Sequence, residues 1–444
     1  MKRIPILFVL LALVSTATAQ QQTASSTDNS AMEQKLRDLE DRVIMLEGEL
    51  RQLKAQQQKP AESTAAGPVT PPSAPGTQPQ AGAEQGAAGS LPTGGETVRL
   101  GGAGGGASTA LNPDISIIGD FIGGAGHNPV NPTPSFQMHE SEIGIQAIVD
   151  PYARADFFIS FGETGVNLEE GFITFTSLPK GFVAKAGKMR AAFGKVNTLH
   201  NHVLPWVDRP LVSQNLVGGE DGIDDAGFSV QHIIPVPRNW FLEATGQTFR
   251  GDSSDVFTSS KKNNLSVVGH LRGYKDLTDS TNLDLGVSYS RGHNQFGADF
   301  ITNLYGVDAI YRWKPLSRAI YHSFVARSEA IWRKQDQPSL AQCLLIACPA
   351  NTSFGNQRAF GFYASADYQF ARRWFVGGRV DNSDRAINSR LNDKGGSLVL
   401  TYWPSEFAQL RGQYRFTRLA EHFDANEVFL QLQFALGAHG AHPF

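Results

Sequence analysis

The chain has 444 residues, and its 39 basic and 42 acidic side chains leave a formal charge of -3. That balance excludes the broad basic surface a nucleic-acid partner requires. No apolar run reaches the roughly 20 residues that a membrane-spanning helix needs.

The chain opens with Lys2 and Arg3, an apolar stretch over residues 4–14 and the small residues Ala17, Thr18 and Ala19. This is the pattern of a secretory leader cleaved after residue 19. Residues 32–55 follow a heptad repeat, with Met32, Leu36, Leu39, Val43, Leu46, Leu50 and Leu53 at alternating steps of four and three. Lys35 with Glu40, Arg42 with Glu47 and Glu49 with Lys54 stand at the spacing that pairs parallel chains, each pair opposite in charge. Parallel self-association is therefore expected, with a helix lying on its own domain or on a membrane surface as the alternative. The run from Arg42 through Val43 and Leu46 to Glu47 resembles the short motif of three-stranded coils, in which the Arg stem covers the seam and its guanidinium meets the Glu. A coil this short is weak alone, so the chains must be held together elsewhere as well. Residues 56–110, rich in Pro, Gly, Ala and Gln, bury too little to order themselves and read as a disordered linker.

From residue 111 to residue 444 the texture is that of strands. Leu283, Leu285, Val287 and Tyr289 alternate with Asp284, Gly286, Ser288 and Ser290; Phe360, Phe362, Tyr368 and Phe370 alternate with Ser365, Asp367 and Gln369. Candidate strands start near residues 114, 138, 152, 168, 181, 226, 239, 264, 283, 303, 319, 358, 374, 396, 406 and 426. The links on one side are mostly short, and those between them are mostly longer, including the stretches 124–137, 191–225, 250–263, 334–357 and 382–395. Tyr311, Trp313, Tyr368, Phe370, Tyr402 and Trp403 lie near strand ends, as in interfacial aromatic girdles. The expected fold is all-β, a transmembrane antiparallel barrel of about 16 strands set in outer-membrane lipid and wide enough for an aqueous channel. Clear alternation stops at Phe434, so either that residue or the terminal Phe444 is the aromatic signal read by the barrel-assembly machinery.

Strand parity then assigns charges to the lumen. Glu140, Glu142, Arg154, Asp156, Glu170, Lys185, Glu243, Asp284 and Asp308 form an acid-leaning wall. Arg312, Arg327, Glu329, Arg333, Arg379, Asp381, Arg411 and Arg415 form a base-leaning one. Facing walls of opposite sign orient polar solutes; simple pairing between neighbouring strands is the plainer reading. The longest connection, residues 191–227, carries His200, His202, Asp208, Arg209, Glu220, Asp221, Asp224 and Asp225, with Leu204, Trp206 and Leu211 as apolar anchors. It is expected either to fold inward as a constriction or to stand exposed. His200 and His202 with the later acids are candidate ligands for a divalent cation, as are His439 and His442 more weakly, although no metal-spacing motif is present. Cys343 and Cys348, the only cysteines of an exported chain, are expected to form a disulfide.

Residues 169–202 join a strand, a tight Leu-Pro-Lys-Gly turn and a second strand ending in Gly187-Lys188-Met189-Arg190-Ala191-Ala192-Phe193-Gly194. This hairpin resembles that of outer-membrane porins, most closely the phosphate-selective porin O/P family and its relatives. The resemblance implies a homotrimer of sixteen-stranded barrels with an inward third loop and, in some members, a short N-terminal coiled coil. Phosphate selectivity does not carry over, since acids and arginines mix in this lumen. The expected function is a water-filled channel for passive diffusion of small hydrophilic solutes or ions. A specific uptake channel or receptor for an anion or a metal complex is the alternative. An energised receptor would need a plug and about 22 strands, a trimeric adhesin would supply only a few strands per chain, and no hydrolase motif is present. No cofactor is expected. The coiled coil is expected in the periplasm, within reach of the cell wall.

Overall fold

A computed structural model describes residues 113–437, apart from 164, 237–239, 254–255, 259–260, 347 and 349–351. The expected leader, coiled coil and linker, and His439, His442 and Phe444, lie outside the described residues. Sixteen antiparallel strands close into one barrel. The first half comprises β1 (Asp114–His127), β2 (Phe136–Asp150), β3 (Ala153–Gly162), β4 (Gly165–Phe175), β5 (Phe182–Arg190), β6 (Asp224–Pro235), β7 (Trp240–Phe249) and β8 (Ser266–Thr278). The second comprises β9 (Thr281–Asn294), β10 (Gly297–Trp313), β11 (Ser323–Gln335), β12 (Gln357–Ala371), β13 (Trp374–Arg385), β14 (Asn388–Ser405), β15 (Ala408–Arg418) and β16 (Asp424–Gly437). Each strand pairs with its sequence neighbours, and β16 returns to β1 over the register from Ser116 opposite Gly437 to His127 opposite Asn426.

Parity decides what each strand shows to the outside. On β16, Val428, Leu430, Leu432 and Phe434 point outward and are exposed, while Glu427, Gln431 and Gln433 point inward and are buried. The same division runs through β9, β12 and β15, so the outer face is a continuous apolar surface and the polar residues line the inside. Aromatic pairs sit on that outer face, among them Trp374 stacked on Tyr402 at 4.5 Å and Trp332 against Phe360 at 5.1 Å. Trp403, expected beside Tyr402 in the girdle, instead points inward and is buried, because adjacent residues of a strand face opposite ways.

Several connections differ from expectation. The stretch 382–395 is not a long loop: β13 and β14 form a hairpin with a turn at residues 386–387. β3 and β4 meet closely, with Gly162 opposite Gly165, and a two-residue turn occupies 295–296, both on the same rim as the long connections 191–223, 250–265 and 336–356, so this rim mixes long and short links. β16 continues past Phe434 to Gly437. Among the described residues two short α-helices lie in long connections: α1 (Leu211–Leu216), and α2 (Leu340–Ile346), from which Cys343 forms the expected disulfide with Cys348.

Candidate constriction and pore wall

Residues 191–223, between β5 and β6, turn into the lumen. Their neck is tied by Asn197, whose amide donates to the carbonyls of Ala191 and Ile223 at 2.8 and 3.1 Å and accepts from the Ile223 N–H at 2.8 Å. At the neck Gly194 adopts φ 61°, and a Cβ there would fall 1.7 Å from Glu329 Oε1, so both the left-handed backbone and the close approach require glycine. The Gly194 N–H donates to Ser288 Oγ at 2.9 Å and the Lys195 ammonium lies 3.4 Å from Asp284.

Beyond the neck the loop touches wall after wall. Asn201 donates to Glu140 at 2.9 Å on β2, and Gln433 of β16 donates to the His202 carbonyl at 3.0 Å. Arg411 of β15 donates to the Trp206 carbonyl at 3.1 Å, and the Leu211 N–H donates to Asp381 of β13 at 3.2 Å. Asn215 of α1 reaches Asp393 of β14 at 2.9 Å, and Arg333 of β11 donates to the Leu216 carbonyl at 3.0 Å. Arg209 does not reach a wall; its guanidinium holds the carbonyls of Val196 and Leu199 and the side chain of Asn201, which fixes the turn presenting His200 and His202.

The loop also carries an apolar core into the lumen. Phe193, Leu204, Trp206, Val212 and Leu216 are buried with Val256 and Phe257 from the connection 250–265 and with Leu304, Ile331 and Tyr363 from the wall. Trp206 meets Tyr363 edge-on at 5.3 Å and lies under the Arg379 guanidinium at 4.8 Å.

Two charged clusters flank this core. Asp120, Glu140, Glu142, Glu169 and Glu170 converge from β1, β2 and β4, and Arg379, Arg411 and Arg415 stand on β13 and β15. They do not face each other across the pore as expected: only β16 separates β15 from β1, Gln431 links Arg411 to Asp120, and pairs between neighbouring strands or along one strand, such as Arg379 with Asp381 and Arg415 with Glu427, mix the signs. The loop brings counter-charge to each cluster. His200 Nδ1 lies 2.7 Å from Glu142 and 3.0 Å from Glu169, and its Nε2 lies 2.8 Å from Glu170. Burial opposes a charge on this imidazole, but the facing carboxylates outweigh it and hold His200 protonated well above the usual histidine range. Asp208 meets Arg379 and Arg415, each at 2.9 Å, and accepts from Gln413. Burial would raise its pKa, but the two guanidiniums prevail and hold the carboxyl well below the ordinary aspartate range.

The other residues singled out from sequence are placed as follows. Arg154 and Asp156 pair along β3 at 2.9 Å, Lys185 lies 4.4 Å over the Phe172 ring, and Arg327 pairs with Asp367 of β12. Glu220 and Asp221 have exposed side chains where the loop returns to β6. Asp224 binds Lys188 at 2.8 Å, and Asp225 accepts from the backbone of Gly251 and Asp252.

Parity missed His139, Glu169 and Arg190. A bulge between Asp120 and Phe121 opposite β2 puts His139 as well as Glu140 on the lumen side, where its ring lies 3.3 Å from Asp120. A second bulge, between Phe158 and Ile159 opposite β4, turns Glu169 inward beside Glu170, and Arg190 binds Glu169 at 2.8 Å. Each of these two bulges breaks the two-residue period beside the cluster.

No protein-family model matches the chain. A protein of Aquifex aeolicus known only as an uncharacterized protein is 28% identical over 394 residues, 76% of this chain and 80% of that one. The OmpF structure from Salmonella typhi aligns with a TM-score of 0.50 at 9% identity, over 74% of this chain and all but 1% of that one, its covered share being 99%. OprB of Pseudomonas putida gives 0.49 at 9% identity, over 74% of this chain and 95% of that one. The barrel has a porin-like fold.

Proposed function

We propose that this protein is an outer-membrane channel through which small hydrophilic solutes or ions diffuse passively, narrowed by residues 191–223. One observation carries the reading: a closed barrel with an apolar outside and a charged inside, into which one long connection is packed. Selection then rests on the width left beside the loop and on the charges of the acidic and arginine clusters. Within the porins, residues 169–202 favour relatives of the phosphate-selective porin O/P family, without its phosphate selectivity. The leader would direct export, the barrel-assembly machinery would insert the barrel, and residues 32–55 would tie three chains together in the periplasm near the cell wall.

A dedicated uptake channel for an anion or a metal complex is the second reading, favoured by the apolar core that the loop carries into the lumen. Single-channel recording of the purified protein in a planar bilayer tests both. Stepwise conductance supports a channel, and closure in three steps supports a trimer. A dedicated channel is blocked by micromolar solute where a general pore is not. Folded protein that never conducts would overturn both.

A further inference from the structure

The acidic cluster beneath the loop has more negative groups than its hydrogen bonds use. Donor atoms of Glu140, Glu142 and Glu169 lie within 4.8 Å of one another, and all three side chains are buried. Arg190 occupies Glu169, and Asn201 donates to Glu140 Oε2. Glu140 Oε1, in a residue only 8% exposed, accepts no hydrogen bond at all. Carboxylates buried this close together need a proton or a cation between them.

Two imidazoles meet one member of this cluster, Glu142. Donor atoms of Glu142, His200 and His202 also lie within 4.8 Å of one another. His200 Nδ1 and His202 Nδ1 lie 2.7 and 3.7 Å from the same oxygen, Glu142 Oε2. Ligands bonded to one tetrahedral metal at 2.0–2.2 Å stand about 3.4 Å apart, so these separations bracket what a shared ion requires. The far nitrogen of His200 is held by Glu170 at 2.8 Å. That is the carboxylate–histidine arrangement that orients a metal-bound imidazole and raises its basicity.

We propose that Glu142, His200 and His202 bind a divalent first-row transition-metal cation that clamps the loop 191–223 to β2. The mixed imidazole and carboxylate set suits zinc and its neighbours rather than calcium or magnesium. On binding, the metal takes the place of the Nδ1 proton of His200, which leaves to solvent, and Glu170 keeps the Nε2 proton. The ion thus joins two residues of the loop to the wall by coordinate bonds where the metal-free protein has hydrogen bonds and ion pairs. Binding itself stands apart from transport; only the effect of the ion on conductance rests on the channel reading.

The test uses the full-length protein, folded in detergent, dialysed against zinc chloride and then against metal-free buffer, with retained zinc measured by elemental analysis. One zinc per chain is expected. E142Q and H202A should lose it, and E170Q should weaken retention by about tenfold, because Glu170 holds the far nitrogen of His200. The double variant H439A/H442A should retain it. Should E142Q fail to fold, H202A on the loop gives the same answer. Cobalt in place of zinc should give a visible absorption band that H202A abolishes. No retained zinc in the wild type, or retention that survives both E142Q and H202A, overturns the site. If zinc is retained and E142Q and H202A both release it, the site stands even where the protein never conducts.

Discussion

Asp208 is the loop's anchor on the arginine wall, and replacing it by asparagine keeps the shape while removing the charge. Hydrogen bonds to charged groups contribute about 1.5–3 kcal/mol each, and D208N should weaken the loop's hold by an amount of that order. Arg379 keeps Asp381 at 2.7 Å and Arg415 keeps Glu427 at 2.6 Å, so the barrel should stay folded. The lumen gains one net positive charge, and the reversal potential in a potassium chloride gradient should move toward anion preference. The pH dependence follows from the sign of the shift. The Asp208 carboxyl is held below its unfolded value of about 3.9, so its contribution is full above that pH and falls away as pH drops through the folded value. The difference in thermal stability between wild type and D208N should therefore be constant from pH 7 to about pH 4 and shrink below it. At this scale the sequence was informative in two ways: parity singled out Arg379 and Arg415, and the length and mixed charge of the third connection singled out Asp208. Glu169 and His139 were hidden because each lies at a bulge, and one inserted residue reverses the face of its neighbours.

The element that decides behaviour is the connection 191–223. Its anchors Leu204, Trp206 and Leu211 were legible as large apolar residues among charged ones, and all three are buried, together with Phe193, Val212 and Leu216, which were not singled out. What they pack on was not legible, since Val256 and Phe257 come from another connection with no pattern of its own. Removing a buried Trp costs about 3–5 kcal/mol, so W206A should loosen the loop without opening the sheet. The expected outcome is a larger, noisier single-channel conductance and faster proteolysis within residues 191–223, with unchanged strand content by circular dichroism. Unaltered conductance would mean that the loop does not limit flow. The hairpin of β13 and β14 was misread as a loop for a related reason. Its outer half carries Asp381, Asn382, Asp384, Arg385, Asn392, Asp393 and Lys394, polar on both faces, and a strand that rises clear of an apolar surroundings has no hydrophobic period to betray it. Hydrogen bonds within it, such as Arg385 to Asp393 at 2.9 Å, replace that signal.

For the whole molecule, the closed sheet of sixteen strands was legible because its outward and inward faces differ in chemistry along nearly every strand, and that contrast survives errors of several residues at strand ends, as at β10 and β14. The proposed assembly gives one more test. Deleting residues 32–54 should lower the temperature at which trimers dissociate on native gels while leaving the conductance of each pore unchanged; trimers of equal resistance would remove the coil from the assembly. The pairing of β1 with β16 carries a different consequence, one of timing. Gly119 faces Phe434 in that register, across nearly the full length of the described chain, and contacts so distant in sequence form slowly. Until β16 arrives, both ends of the sheet are open edges, each able to recruit a strand from another chain. A chain cut before β16 should therefore aggregate or be degraded instead of inserting as a smaller barrel, and completion of the chain becomes the checkpoint for entry into the membrane.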